Sequence, residues 1–354
     1  MSRLTMALRA LAVAGGLAAS VSGAASGGLD QALLARALQR AEALPRPHAL
    51  IVARDGTVRA ERAFRGPGIS VPVNIKSVSK TVIAALVGIA IGRGALKGTQ
   101  QPILPLLKRH IQAGKDARPG RLDQLHRITI DHLLSMRSGL ERTSGRNYGR
   151  WVNSRDWVGH VLSRPFADAP GGRMLYSTGN SHLLSAILTK AAGRSTHALA
   201  RDWLGKPLGI SIPPWQRDPQ GVYFGGNNMA LSPRALLRFG ELYRNGGVHK
   251  GRRILPESWV RASWTARTRS PFSGDAYGHG WFITQFCRQS AYYARGFGGQ
   301  FLYVVPSLGL TIVITSDRSR RTRIGGYRAA LKTLVGDDLI AAALRADGRS
   351  CGEG

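Results

Sequence analysis

One apolar segment, residues 74–96, constrains the fold more than any other part of this chain. Its sequence is NIKSVSKTVIAALVGIAIGRGAL. Apolar residues occupy nearly every position of this segment and are not confined to one face of a helix. The segment therefore predicts a buried helix that begins at Ser77 and ends at Gly92 or Gly94. Ser77 and Lys80 are three positions apart and therefore share one helix face. A buried lysine must be neutral or paired, so this pair is a candidate nucleophile and base.

The predicted elements place strands near both ends of the chain and helices between them. A helix is predicted over 29–44, and residues 48–64 predict two strands around an Asp55-Gly56 turn. This order predicts one sheet built from the two termini, with a helical insertion packed against it. The remaining predictions are helices over 128–136, 181–193, 232–247 and 326–345, and strands over 279–286, 290–297, 300–306 and 310–317.

The N-terminus has the form of a secretory signal over residues 1–25. Arg3 and Arg9 precede a short apolar region that ends in small residues. Cleavage after position 24 or 25 would leave no transmembrane span, and the expected location is periplasmic or secreted. In an oxidising compartment Cys287 and Cys351 would either pair or remain as two unpaired thiols.

The net charge of +30 comes almost entirely from scattered arginines. It is explained either by attraction to an anionic cell-envelope surface or by an arginine-rich solvated surface. No nucleic-acid-binding motif accompanies the charge, so no nucleic-acid partner is expected. The nine histidines are dispersed, so neither a metal site nor another cofactor is expected.

Helix geometry and burial suit Ser77 and Lys80 to acyl transfer. The N-terminus of a helix carries partial positive charge, which favours an oxyanion at Ser77 and disfavours protonated Lys80. Burial lowers the lysine pKa further, so a neutral Lys80 can take the proton from Ser77. The alternative is a helix-capping Ser77 with Lys80 extended towards solvent.

Two further clusters are candidates for the same site. PGGRMLYSTGN (170–180) places Tyr176 on a turn before a helix, where its hydroxyl could relay a proton if a nearby cation such as Lys80 lowered its pKa. ARGFGGQFLYVVP (294–306) contains Gly298-Gly299 on a predicted strand, where backbone can approach a ligand closely. The alternatives are an ordinary buried aromatic residue and a β-bulge.

Taken together, the three clusters resemble the serine β-lactamase and penicillin-binding-protein superfamily, and most closely its class C β-lactamase-related esterases, amidases and D-peptidases. The resemblance extends to ITIDHLLSMRSGL (128–140), MALSPRALLRFGELYRNGG (229–247), ILPESWV (254–260) and YGHGWF (277–282). It implies an α+β fold of the β-lactamase/transpeptidase type. An antiparallel sheet domain would comprise residues 26–95 and 275–354, and an inserted, mostly helical domain would comprise 96–274.

Carried over to this sequence, the resemblance implies that Ser77 is acylated and Lys80 is its base. Tyr176 would shuttle protons to the leaving group and activate the deacylating water. The backbone N–H groups of Ser77 and Gln300 would form the oxyanion hole. The substrate-binding residues would be Thr178, Asn180, Phe297, Gly298 and Gly299.

Two departures from the family pattern affect the expected substrate. The tyrosine motif usually continues to Asn where this chain has Thr178, with Asn180 two residues further on. Phe297 stands where relatives carry Lys or His, which anchors a substrate carboxylate, although Arg295 would face the same side of a strand. We therefore expect an exported serine hydrolase that prefers small esters or non-carboxylate amides. The alternatives are a β-lactamase or D-alanyl-D-alanine carboxypeptidase/D-peptidase, and a non-catalytic cell-wall sensor.

Overall fold

An eight-stranded antiparallel sheet forms the centre of the protein, as seen in a computed structural model that describes residues 28–111, 119–319 and 324–352. The predicted signal at 1–25 lies outside these residues. The strands are β1 (Pro47–Arg54), β2 (Thr57–Ala63), β3 (Val73–Asn74), β4 (Ala230–Leu231), β5 (Val248–His249), β6 (Arg252–Arg253), β7 (Thr268–Arg269), β8 (Ala276–Tyr277), β9 (Phe282–Phe286), β10 (Gln289–Gly296), β11 (Gln300–Val305) and β12 (Leu310–Ser316).

The strand order of the large sheet is β2-β1-β12-β11-β10-β9-β8-β7. Strand β1 therefore pairs with β12, which joins the two ends of the chain in one sheet. Short strands form two further pairs, β3 with β4 and β5 with β6. The prediction of an antiparallel sheet built from N- and C-terminal strands is confirmed.

Helices cover both faces of this sheet. Helix α1 and the C-terminal helices pack on one face, and α11 packs on the other. The α-helices are α1 (Gln31–Ala43), α2 (Ser79–Gly92), α3 (Leu104–Leu107), α4 (Arg121–His126), α5 (Ile130–Leu134), α6 (Tyr148–Val152), α7 (Trp157–Leu162), α8 (Thr178–Ala192), α9 (Thr196–Ala200), α10 (Lys206–Leu208), α11 (Pro233–Arg244), α12 (Glu257–Ser263), α13 (Ile324–Thr333) and α14 (Ala341–Ala346).

Burial on both faces explains why β1 has no polar alternation. Successive side chains of a strand point to opposite faces. Leu50 and Val52 enter the core that contains α1 and the C-terminal helices, whereas Ile51 and Ala53 enter the core that contains α2 and α8. A strand covered on both sides is apolar throughout.

Helix α2 lies inside the second of these cores and contacts α8. Its side chains from Ser79 to Ala90 are buried, as its all-apolar sequence predicts. A Cβ at Gly88 would lie 2.4 Å from the Trp259 ring, so only glycine allows the close approach of α12.

Several details differ from the sequence-based expectations. The sheet continues to β7, ahead of the predicted domain boundary at 275. Gly298 and Gly299 lie in a turn rather than on a strand, because both have positive φ angles. Cys287 and Cys351, for which two outcomes were open, form a disulfide. Among the helices of the described residues, none is long and apolar enough to cross a membrane.

Candidate active site

Ser77 lies in a short 3₁₀ turn, Lys76–Val78, that leads directly into α2. The preceding Lys76 has φ +51°, an uncommon conformation for a residue with a side chain. The Asn74 Oδ1 accepts a hydrogen bond from the Lys76 N–H at 2.9 Å, and the Lys76 Nζ donates to the Asn228 Oδ1 at 3.2 Å. These contacts hold a strained backbone beside the serine, which is half-buried and faces a cleft.

The Lys80 Nζ lies 2.9 Å from the Ser77 Oγ, as the three-residue spacing predicts. Its other hydrogen-bond partner is the Gly226 carbonyl oxygen at 2.6 Å. Lys80 is only 3% exposed, and this burial lowers its pKa from 10.5 to about 7. A substantial fraction of Lys80 is therefore neutral at neutral pH and able to accept a proton from Ser77.

The role of Gly226 is not apparent from sequence reasoning, because it lies 146 positions from Lys80. A Cβ at this position would come within 2.7 Å of the Thr178 methyl and 2.9 Å of its carbonyl oxygen. A glycine is thus needed to bring this carbonyl to the lysine. The adjacent pair Gly225-Gly226 is the only sequence signal for it that we find.

Tyr176 precedes α8 and lies against the same two side chains. Tyr176 lines the same cavity as Ser77, and its ring centroid is 5.2 Å from the Lys80 Nζ. Burial raises the Tyr176 pKa above 10, and the lowering by Ser77 and Arg295 is smaller. The condition considered for a proton relay, a tyrosine pKa lowered by a nearby cation, is not met, because desolvation outweighs the effect of Arg295. Tyr176 therefore remains protonated and able to donate.

Thr178 and Asn180 belong to the first turn of α8, and both are buried. The Thr178 Oγ1 lies 2.9 Å from the Ser144 Oγ. The Asn180 Oδ1 accepts a hydrogen bond from Ser138 at 3.0 Å. Neither side chain lines the cleft at Ser77, so the structure does not bring these two predicted substrate-binding residues to it.

The third cluster forms one wall of the cleft. Phe297, Gly298 and Gly299 make the turn between β10 and β11, and all three line the cavity with Ser77. Phe297 is 57% exposed and stands at the rim. A Cβ at Gly299 would lie 2.5 Å from the Tyr327 ring, which requires glycine there.

Gln300 follows this turn as the first residue of β11. Its buried side chain donates a hydrogen bond to the Ser316 carbonyl oxygen at 2.7 Å, which fixes the end of the turn to β12. The Gln300 side chain does not line the cleft. The assignment of its backbone N–H as the second oxyanion donor stays a prediction.

The cleft is a cavity of about 240 Å³ with three arginines in its lining. Arg295 is half-buried on β10, and its guanidinium lies 5.0 Å from the Phe282 ring. Arg328 comes from α13, and Arg46 precedes β1. The cleft therefore contains cations even though Phe297 is uncharged. Of these three, sequence reasoning identified only Arg295.

The fold, with a helix led by Ser-x-x-Lys between the sheet and a helical insertion, is that of serine β-lactamases and penicillin-binding proteins. The β-lactamase family model matches residues 46–337, which is most of the chain. This protein belongs to the β-lactamase family and is a serine hydrolase of that family.

Individual relatives in this family have different names. The 6-aminohexanoate-dimer hydrolase of Paenarthrobacter ureafaciens is 25% identical over 295 residues, covering 76% of this chain and 72% of the relative. The solved structure of EstCE1, a hydrolase with promiscuous acyltransferase activity, aligns with a TM-score of 0.70 and 17% identity over 86% of this chain and 99% of its own. A penicillin-binding protein homologue from Caulobacter crescentus aligns with a TM-score of 0.67 and 18% identity over 90% and 99%.

Proposed function

We propose that this protein cleaves an ester or amide bond through a covalent acyl-enzyme on Ser77. The observation that carries the proposal is the 2.9 Å contact between Ser77 and a lysine whose pKa is lowered to about 7. A serine is a weak nucleophile unless an adjacent base accepts its proton. The contact with Ser77 and the lowered pKa, which leaves a substantial fraction of Lys80 neutral, support this role for Lys80.

The reaction begins when neutral Lys80 removes the Ser77 proton as Oγ forms a bond to the substrate carbonyl carbon. The carbonyl oxygen becomes an oxyanion at the Ser77 and Gln300 N–H groups. Tyr176, protonated and beside Ser77 and Lys80 in the cavity, donates a proton to the leaving alcohol or amine and is reprotonated from Lys80. In deacylation a water loses its proton through the same groups, attacks the acyl carbon and releases Ser77.

The test is active-site labelling combined with steady-state kinetics. A fluorophosphonate probe should modify Ser77, with the adduct located by mass spectrometry, and Ser77→Ala should lose both labelling and hydrolysis of 4-nitrophenyl butyrate. Ser79→Ala is the matched control, because its hydroxyl is bonded to the Lys76 carbonyl and is buried. An adduct on Ser79 or Ser177 would refute the assignment.

The same assay separates the alternative functions. A burst of product without steady turnover would indicate a non-catalytic sensor that is merely acylated. Faster hydrolysis of nitrocefin or of D-alanyl-D-alanine peptides than of aryl esters would indicate a β-lactamase or D-peptidase.

We also propose that the protein is exported to a periplasm or secreted. The support is the basic and then apolar N-terminal sequence, together with a disulfide, which persists in oxidising compartments. Fractionation of cells that express the full chain, followed by N-terminal sequencing, tests this. A cytosolic protein that retains Arg3 and Arg9 would contradict it.

A further inference from the structure

His182 and Asp218 form a buried pair that the proposed reaction does not use. His182 lies in the second turn of α8, and its Nε2 atom is 2.9 Å from the Asp218 Oδ2. Both side chains are buried. The rings of Trp151, Trp157 and Phe224 surround the imidazole at centroid distances of 5.8, 5.3 and 5.9 Å. A buried polar pair loses its hydration and adds little net stability, so its effect on the groups that it orients matters more.

The neighbours of His182 determine which of its ring nitrogens carries hydrogen. An Asp218 carboxylate can only accept, so the Nε2 atom that faces it carries the hydrogen. The Nδ1 atom lies 3.4 Å from the backbone nitrogen of Gly225, whose N–H can only donate. Nδ1 therefore accepts, and the ring is held between a carboxylate and a backbone amide in one tautomer.

Asp218 is itself fixed by the turn in which it lies. Its Oδ1 accepts hydrogen bonds from the backbone N–H groups of Gln220 at 2.9 Å and Val222 at 2.8 Å. These bonds stabilise the reversal of the chain over 217–223, where the two ends pair as an antiparallel bridge. The chain leaves this turn towards Gly226, so the pair joins α8 to the segment that follows.

That segment supplies a carbonyl oxygen to the proposed base. The Gly226 carbonyl oxygen accepts from the Lys80 Nζ at 2.6 Å, one residue beyond the amide that His182 holds. The segment is packed tightly on α8, because a Cβ at Gly225 would overlap the Ser181 carbonyl oxygen. The position of the Gly226 carbonyl is therefore linked to the position of the imidazole.

We propose that His182 is a positioning residue for Lys80, with Asp218 fixing its tautomer. The imidazole holds the Gly225 N–H, and the adjoining Gly226 carbonyl keeps the Lys80 amine beside the nucleophile. His182 is not among the described residues that line the cavity there, so it acts through the backbone. The proposal rests on the proposed hydrolase function and adds a residue that governs the placement of its base. A misplacement of about 1 Å can cost about a hundredfold in rate.

Two substitutions separate the two hydrogen bonds of His182. In His182→Asn the Oδ1 atom takes the place of Nδ1 and can accept from Gly225. In His182→Gln the side-chain amide reaches the place of Nε2 and leaves the Gly225 N–H without its acceptor. The rate constant for fluorophosphonate labelling of Ser77 should fall about tenfold or more in His182→Gln and stay within about threefold of wild type in His182→Asn. Equal losses in the two variants would show that only the packing of the ring matters and would overturn the proposal.

A double variant shows whether His182 acts through Gly226. Gly226→Ala displaces the carbonyl, because its Cβ would lie 2.7 Å from the Thr178 methyl. Once that carbonyl is displaced, loss of the Nδ1 acceptor should have little further effect. His182→Gln combined with Gly226→Ala should therefore label within about twofold of Gly226→Ala alone. Independent losses that multiply in the double variant, or a wild-type rate in His182→Gln, would contradict the positioning role.

His110→Gln is the matched control, because His110 is also a buried histidine paired with an aspartate. Its Nδ1 atom lies 3.2 Å from the Asp156 carboxylate at the start of α7, and it is likewise not among the described residues that line the cavity. This variant should lower thermal stability and leave labelling within about twofold of wild type. All rates are measured well below the thermal transition of each variant, so that partial unfolding does not affect them.

A spectroscopic measurement distinguishes failure of this proposal from failure of the hydrolase function. In Ser77→Ala, which cannot be acylated, carbon NMR of lysine labelled at Cε follows the titration of Lys80, whose signal is assigned by its loss in Lys80→Met. Adding His182→Gln should move the titration midpoint by about half a pH unit or more, because the amine loses the acceptor that holds it. That change without hydrolysis by wild type would reject only the hydrolase proposal. Hydrolysis by wild type with an unchanged midpoint would reject only the positioning role.

Discussion

The ionisation of Lys80 should appear in the stability of the protein as well as in its activity. The Lys80 pKa is about 7 in the folded protein, against 10.5 for an ordinary lysine, because burial disfavours the charged amine. This difference means that protonation of Lys80 lowers the free energy of unfolding by about 5 kcal/mol. Between pH 7 and 10.5 the unfolded chain binds more protons, so stability rises with pH across this window. Below pH 7 the lysine is charged in both states, and the full cost applies.

Urea unfolding of wild type and Lys80→Met isolates this contribution. Methionine has a similar length and does not titrate. Between pH 6.5 and 9.5 the free energy of unfolding of wild type should therefore rise by about 3 kcal/mol relative to that of the variant. Lys190→Met, at an exposed position on α8, should show no such pH-dependent gap. The rate of fluorophosphonate labelling should rise through pH 7 and level off above it. The reasoning would be refuted if the difference in unfolding free energy between wild type and Lys80→Met did not change with pH and the labelling rate were constant between pH 5 and 9.

Three other changes test separate parts of the structure. Tyr176→Phe should lower kcat by about a hundredfold or more with an unchanged fold, and a fully active variant in the ester assay would exclude the proton shuttle. Gly226→Ala should reduce activity by at least about tenfold, because its Cβ would lie 2.7 Å from the Thr178 methyl and displace the carbonyl that holds Lys80. A shift of the pKa seen in the pH dependence of fluorophosphonate labelling would show that this loss of activity acts through Lys80. Cys351→Ser removes a cross-link across 64 residues and should lower the free energy of unfolding by up to about 4 kcal/mol in urea titrations. Equal stability of wild type and Cys351→Ser would show that tethering the C-terminal tail contributes nothing to the stability of the protein.

The sequence determined the features that depend on neighbouring residues. The all-apolar run predicted α2 and its burial, and the spacing of Ser77 and Lys80 predicted their contact. The Asp55-Gly56 turn predicted the hairpin of β1 and β2. Each of these follows from the period of a helix or the geometry of a turn, which a short segment specifies by itself.

The tertiary structure decided which distant groups meet at the serine and how they ionise. The carbonyl of Gly226 reaches Lys80 across 146 positions, and no local pattern encodes that approach. The pKa of Tyr176 is raised rather than lowered because burial depends on the packing of the whole site. Arg46 and Arg328 are far apart in the sequence, and they share a cavity only because β1 pairs with β12 and α13 packs beside that sheet. Charge in a cleft is a property of strand order, which the residues of any one strand do not specify.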